Sequence, residues 1–485
     1  PEDGHVTVHA PDFEDHFYLQ QNLHVSIATW ACTPAELDRA FVEYWAPKWN
    51  RDSLPDFQQA ANWTAFQGQL QLLGPPAPEL SLDMASTDAW LQATRSLKAK
   101  KSTGACGFSN QDLCTLPRPV VADLALLFRK AVASSLPRHL MMAKVAVLAK
   151  RPVPDGIQHT RPITILSNLY RLWSSQVAKK LLRAWAPHLP SGLTGGVPGL
   201  SARDLAYALE AEVEAHLSQR RPLTGFSLDL QKYFNNLPVQ PVLLAMRWLG
   251  APQEVLSFWQ ACLRRLQRQS VFRGCYGIAI SMRTGVPEGD PLSVAAAVAI
   301  AAVYHKLAES PSCKVRTYID NWAWSTTVRS ENCRLLQLTR DFTASLKVDI
   351  DWSKSYTWAT DGPGRKWWQN NITQLAPAGA APQLARTVQE LGVTNRFHRQ
   401  THYGSIRERL AEGHARLSRL SRLRRPPGNK ALLIQCAVWP ATFYGTEALA
   451  LSRQEVHSLR TSASRALFGP TRATCPFLAL HAVAA

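Results

Sequence analysis

Between residues 314 and 319 the chain alternates polar and apolar side chains, Lys-Val-Arg-Thr-Tyr-Ile, and after two polar residues Trp322-Ala323-Trp324-Ser325 runs on. A period of two marks a half-buried strand, and Asp-Asn is a favourable two-residue turn. The stretch therefore reads as a β-hairpin with Asp320-Asn321 at its tip. Residues 226–230 form a short apolar strand that contains Asp229. Residues 143–149 read as a further strand, and 271–280 is strand-like. Helical spacing of apolar positions runs through 166–184, 205–217, 241–249 and 254–266, and less regularly through 34–44 and 86–98. Asp290 reads as an N-cap and Pro291 as the first residue of a helix that continues over 293–304. Strands and helices intermix throughout, which predicts an α/β (α+β) fold.

Composition narrows the class. The 485 residues are 46% hydrophobic and 19% charged, so the chain folds around a core. Lys and Arg exceed Asp and Glu by 18, which suits a polyanionic partner. Part of that excess is concentrated in 396–430, where ten Lys or Arg face two Glu. Leu410, Leu417, Leu420 and Leu423 fall there near helical spacing, so the stretch is either the solvated face of a core helix or a helix that grips a phosphate backbone. Nine cysteines are scattered without a Cys-x-x-Cys pair, which predicts free thiols and no zinc site. The longest apolar run, 294–304, is too short to cross a bilayer, and no secretory signal opens the chain. These features predict an intracellular protein without membrane contact. The first residue is Pro, not Met, which reads as a fragment of a longer product. Trp45, Trp49, Trp63 and Trp90 read as packing residues in an N-terminal stretch that carries no nameable chemistry.

Two carboxylates bring the chemistry. Asp229 and Asp320 sit in strand and hairpin contexts, with the glycine-bearing loop Gly285-Val286-Pro287-Glu288-Gly289-Asp290-Pro291-Leu292-Ser293 between them in sequence. Phosphoryl transfer is served by two divalent cations about 3.5–4 Å apart, and magnesium takes one or two carboxylates plus substrate phosphates. If their strands are neighbours, Asp229 and Asp320 can supply those carboxylates. Taken singly, each also reads as an ordinary strand-end or turn aspartate.

The three segments, in this order, resemble motifs A, B and C of reverse transcriptases, and most closely those of non-LTR (LINE-type) retrotransposons. Further segments agree. Lys144-Val145-Ala146-Val147-Leu148-Ala149-Lys150 with Arg161-Pro162-Ile163-Thr164 resembles the fingers strands, and Gly192-Leu193-Thr194-Gly195-Gly196-Val197-Pro198-Gly199 the next fingers segment. Lys101-Ser102-Thr103-Gly104-Ala105-Cys106-Gly107 resembles an upstream motif in which Asp is usual where Cys106 stands. Leu346-Lys347-Val348-Asp349 with Lys354-Ser355 resembles motif D, Leu391-Gly392-Val393 motif E, and Phe443-Tyr444-Gly445-Thr446-Glu447 a tail motif. The likeness covers roughly 98–450.

The resemblance implies a right-hand polymerase. A mostly helical extension would occupy 1–97, fingers 98–222, a palm with an antiparallel sheet packed on helices 223–395, and a basic helical thumb 396–485. It implies that Asp229 and Asp320 bind two Mg²⁺ ions, with Mn²⁺ as a possible substitute, helped by the Leu230 carbonyl and Asn321. Phe234 matches the aromatic gate that excludes a 2′-hydroxyl. Lys150 and Arg161 would neutralise the triphosphate, Gly289 would touch the template-side base pair, and Tyr318 would line the substrate site. Lys354 would donate a proton to the pyrophosphate or screen it. Besides Cys106, three positions depart from the family: Asn321 for the second Asp of Tyr-x-Asp-Asp, Glu288 for the motif B Gln, and Asn235 for the Asp that often follows the gate. Expected partners are an RNA template, a DNA primer or target and dNTPs, in a nuclear or cytoplasmic ribonucleoprotein. An endonuclease is expected elsewhere in a longer polypeptide. The alternative of another class is a catalytically impaired nucleic-acid-binding protein on the same fold. An RNA-synthesising relative is a third reading, which Phe234 opposes.

Overall fold

A computed structural model describes residues 33–52, 61–82, 86–132, 136–150, 156–377, 380, 382–399, 404–446 and 451–469. Glu447 of the tail motif and both ends of the chain lie outside these residues.

Two sheets carry the architecture. The first holds β1 (Met142–Ala149), β2 (Thr160–Ile165), β4 (Gln267–Phe272) and β5 (Cys275–Ser281) in the order β2-β1-β4-β5. The second holds β3 (Thr224–Asp229), β6 (Cys313–Tyr318), β7 (Asn321–Thr326), β8 (Tyr356–Ala359) and β9 (Gln383–Ala385) in the order β6-β7-β3-β8-β9. A separate hairpin pairs β10 (Thr387–Glu390) with β11 (Val393–Arg396). The α/β class read from the pattern therefore stands. One strand-like stretch resolves differently: 271–280 is not a single strand but parts of β4 and β5, folded back through a tight turn. This hairpin pairs with β1, so a segment read with the palm completes the sheet of the segment read as fingers.

The sheets rest on one apolar core. At its centre is helix Pro291–Ala308, apolar along its length and buried among other helices of this core. Asp290 caps it as the sequence implies, accepting from the Leu292 N–H at 3.1 Å. The Tyr170 hydroxyl and the Trp259 indole also donate to the Asp290 carboxylate, at 2.7 and 3.0 Å, so this buried acid is fully engaged. The N-terminal helix Pro34–Trp49 belongs to the same core. It begins with a Thr33/Glu36 capping box and lays Phe41, Trp45 and Trp49 against β4 and β5. Truncating a buried aromatic of this kind costs about 3–5 kcal/mol.

Helices Gly404–Ser421, Pro427–Leu433 and Arg453–Phe468 close around a second core that contains Leu410, Leu417, Leu420 and Leu459. Leu423 stays exposed, as do Arg419, Arg422, Arg424 and Arg425. Motif E meets the tail motif here. The Tyr444 hydroxyl donates to the Leu391 carbonyl at 2.9 Å, and Arg409 reaches the carbonyls of Gly392 and Tyr444.

Candidate active site

Strand β3 lies between β7 and β8, so Asp229 at its end emerges from the middle of the sheet. Its ladder partner is Asn321, and the following N–H, of Leu230, donates to the Asp320 carbonyl at 2.9 Å. Both aspartates therefore stand at the same end of neighbouring strands. Asp320 is open to solvent at the hairpin tip, yet protein crowds it on its other sides. That desolvation first, and the charge of Asp229 second, raise its carboxyl above the usual aspartate range, against the pull of Arg161 and Lys354.

The hairpin tip differs from the sequence reading by one residue. Tyr318 pairs with Asn321, so the two turn residues are Ile319 and Asp320, and Asn321 is the first residue of β7. Ile319 holds φ at 55°, a conformation that β-branched residues avoid at a cost of about 1–3 kcal/mol. The segment 192–195 braces it. Thr194 and Gly195 donate to the Thr317 carbonyl at 3.1 and 3.4 Å, and Thr317 donates to the Gly192 carbonyl at 2.9 Å. A Cβ on Gly195 would come within 2.4 Å of the Ile319 nitrogen, so only glycine lets the brace lie this close.

The segment that follows helix Arg329–Ser345 returns beside β3. Asp351 N–H donates to the Asp229 carbonyl at 2.7 Å and Gln231 N–H to the Asp349 carbonyl at 2.8 Å. This placement brings Lys354 Nζ to 3.1 Å from Asp229 Oδ1 and 2.7 Å from Asp351 Oδ2. Partial burial works against the ammonium, but the hydrogen bonds to Asp351 and Asp229 outweigh it and hold Lys354 above the ordinary lysine range. Lys150 and Arg161 face the same cluster from β1 and β2. Crowding first, then the like charges of Lys354 and Arg161, lower the Lys150 ammonium, while Glu288 and Asp229 oppose the shift.

The segment that carries Phe234 follows Asp229 by a few residues. Phe234 is half-buried in the short helix Tyr233–Asn236, with its carbonyl accepting from Val286 N–H at 2.7 Å. Gly289 has φ of 120°, and a Cβ there would stand 2.3 Å from the Thr164 carbonyl oxygen, so the motif B loop runs directly over β2. Thr164 N–H fastens it by donating to the Glu288 carbonyl at 2.7 Å. Tyr318 sits half-buried at the end of β6, and among the described residues no side-chain bond joins it to the cluster.

With this geometry in view, the comparison with known proteins is direct. The family described as reverse transcriptase (RNA-dependent DNA polymerase) matches residues 149–394, just over half of the chain. The chain belongs to the reverse transcriptase family. The probable RNA-directed DNA polymerase from transposon BS of Drosophila melanogaster is 24% identical over 286 residues, which cover 57% of this chain and 31% of that protein. The chain thus spans about a third of the length of that curated relative. A structure of apo telomerase from Candida tropicalis, truncated from the C-terminal domain, is similar at a TM-score of 0.37 and 10% identity, covering 57% of this chain and 59% of that one.

Reverse transcriptases use divalent metal ions, and the donors here are of the matching kind. Asp229 and Asp320 offer hard carboxylate oxygens. The ladder bonds flanking Leu230 use the carbonyls of Asp229 and Asp349 and leave that of Leu230 aside. Asn321 Oδ1 is buried without a hydrogen-bond partner, an acceptor whose desolvation a cation would offset. Among the described residues no three or more His, Cys, Asp or Glu are placed to hold a metal ion together, so a cation here would draw further ligands from phosphates and water.

Sequence reasoning missed four residues that support this candidate site. Asp351 anchors Lys354, and an acid three residues before the lysine was the available signal. Trp49, Arg51 and Arg268 approach the gate and motif B from distant parts of the chain, and no local signal marks them.

Proposed function

We propose that this chain is the polymerase core of a non-LTR retrotransposon reverse transcriptase, which extends a DNA primer 3′-hydroxyl with dNTPs on an RNA template. The observation that carries the reading is the pairing of Asp229 with Asn321, together with the Leu230-to-Asp320 hydrogen bond at 2.9 Å. Two acids far apart in sequence meet at one end of a central sheet, ringed by Lys354, Arg161 and Lys150. Two Mg²⁺ ions are the proposed cofactors, held by Asp229, Asp320, the Leu230 carbonyl and the Asn321 amide oxygen. When bound, such ions supply Lewis-acid activation of the attacking hydroxyl and charge neutralisation at the leaving group.

The remaining roles belong to the chain. Arg161, with its planar fork, and Lys150, as a point charge, would receive the triphosphate oxygens. Lys354, held by two carboxylates, would deliver a proton to the departing pyrophosphate. Phe234 would close the space needed by a 2′-hydroxyl, which favours deoxynucleotides and disfavours RNA synthesis. Gly289 and Tyr318 would line the template and substrate sides. The exposed arginines at 419–425 would meet the phosphate backbone, with salt-sensitive binding as the consequence. Such a protein would work in a nuclear or cytoplasmic ribonucleoprotein, with target nicking supplied by another part of a longer polypeptide.

Primer extension on an RNA template, with Mg²⁺ and separately with Mn²⁺, tests the reading. Wild type should incorporate dNTPs, and D229A and D320A should lose incorporation while still binding primer–template. If wild type does no better than D320A with either metal, the chain is a nucleic-acid-binding protein on a polymerase fold.

A further inference from the structure

The end of the N-terminal helix grips the gate segment from several directions. Before the gate, Lys232 Nζ lies 4.3 Å from the centre of the Tyr44 ring and 5.6 Å from that of Trp45. Beyond it, Arg51 donates to the Asn236 carbonyl at 2.9 Å and to the Lys347 carbonyl at 2.6 Å. The Trp49 carbonyl accepts from Arg283 and Thr284 at 2.7 and 2.8 Å, which ties the same point to the start of the motif B loop. Between these anchors, Trp49 Nε1 donates to Asn235 Oδ1 at 2.9 Å, and Asn235 Nδ2 donates to Glu288 Oε1 at 2.6 Å.

That chain of bonds has a fixed direction. An indole nitrogen only donates, so Trp49 takes the amide oxygen and turns the amide nitrogen toward Glu288. Glu288 thereby has its donor; burial raises its carboxyl above the usual range, against the pull of Arg161, the Asn235 hydrogen bond, Lys150 and, last, the buried Arg268 guanidinium, which lies 4.1 Å from the centre of the Trp49 ring. Asn235 and Glu288 are two of the positions at which the resembling motifs usually carry another residue. They touch, and together they still present one amide and one carboxylate.

We propose that Trp49, Asn235 and Glu288 form a clasp that sets the position of Phe234, and so make the N-terminal segment a determinant of sugar selectivity. These are positioning residues, and the inference rests on the gate role given to Phe234 under the proposed function. The bonding rules order the variants. Asp at 235 alone sets two carboxylates against each other. Asp at 235 with Gln at 288 restores a donor–acceptor pair in the reverse sense, since the carboxylate can accept from both Trp49 and the new amide. Gln at 288 alone keeps an amide–amide bond.

The test is equilibrium binding of CTP and dCTP to the enzyme on a dideoxy-terminated primer–template with guanine as the next template base, which requires no turnover. The CTP-to-dCTP Kd ratio should fall about tenfold in N235D, the size of one lost charged contact, and recover to within about threefold of wild type in N235D/E288Q. W49F should lower the ratio about threefold through the freed amide. E288Q should stay near wild type. An unchanged ratio in both N235D and W49F, or a double variant no better than N235D, overturns the clasp. Thermal melting of wild type, N235D, E288Q and N235D/E288Q reads the Asn235–Glu288 coupling independently of nucleotide. Wild type that binds neither nucleotide would instead sink the polymerase reading, and melting would then decide the pair: additive losses refute it, and recovery in the double variant supports it.

Discussion

Lys354 has one ammonium shared between two carboxylates, and that arrangement decides which of its two possible roles it can fill. Asp351 at 2.7 Å keeps the ammonium paired even when Asp229, at 3.1 Å here, serves the cations, so screening a pyrophosphate is the lesser part it can play. A proton is what it still has to give. Replacing it with methionine keeps the stem and removes the proton. Replacing it with arginine keeps the charge and both ion pairs but removes the ability to donate, because a guanidinium does not deprotonate in proteins. The lysine side chain is 59% exposed, so each ion pair contributes about 0.2–1 kcal/mol to stability. Both variants should therefore melt within a few degrees of wild type, on the order of 2–4 °C per kcal/mol at most. Proton transfer by a positioned group contributes about 10²–10⁴-fold, so kcat for single-nucleotide incorporation should fall at least about a hundredfold in K354M and in K354R alike. Rapid-quench incorporation at saturating dNTP measures this. If K354R retains wild-type kcat while K354M does not, the residue acts through its charge. If both retain it, Lys354 has no part in the chemistry.

Three further outcomes follow from neighbouring features. Asn321→Asp adds a carboxylate beside Asp229 and should lower the Mg²⁺ midpoint for incorporation about tenfold, read from a metal titration at fixed dNTP, since affinity for hard cations follows the charge of the ligand set. Phe234→Val should raise ribonucleotide incorporation relative to deoxynucleotide in single-turnover assays, and unchanged discrimination would remove the gate assignment. His305 is buried against the Thr317 hydroxyl at 3.0 Å, and burial lowers its imidazole from 6.5 to about 4. Because the folded value lies below the unfolded one, stability is whole above pH 6.5 and declines as pH falls toward 4, by about 3 kcal/mol at the lower end. Urea denaturation across that range should show the decline, and His305→Gln should flatten it.

What could be read along the chain, and what could not, divides by the range of the forces involved. Asp229 stood out because it sits in an apolar strand where an acid is costly, Asp320 because it sits at the tip of a patterned hairpin, and the two were joined by the order of the motifs. The hairpin tip was set one residue too far along because Asp-Asn has the better turn preference, while the structure forces Ile319 into the turn through a brace from Gly195 that local preference cannot register. The break between β4 and β5 at Arg273-Gly274 was hidden by strand-like residues on both sides. Trp49 was legible as a residue to be buried, but not as the donor to Asn235, a contact across 186 positions. The same limit separated Asn235 from Glu288. Read along the chain, they are two independent departures, each weakening a motif. Joined by a 2.6 Å hydrogen bond, they are partners, the amide of one supplying the donor that the carboxylate of the other accepts. A substitution that looks like decay at one position can thus be the complement of another, and only the contact between them distinguishes a failing site from one that has been rebuilt.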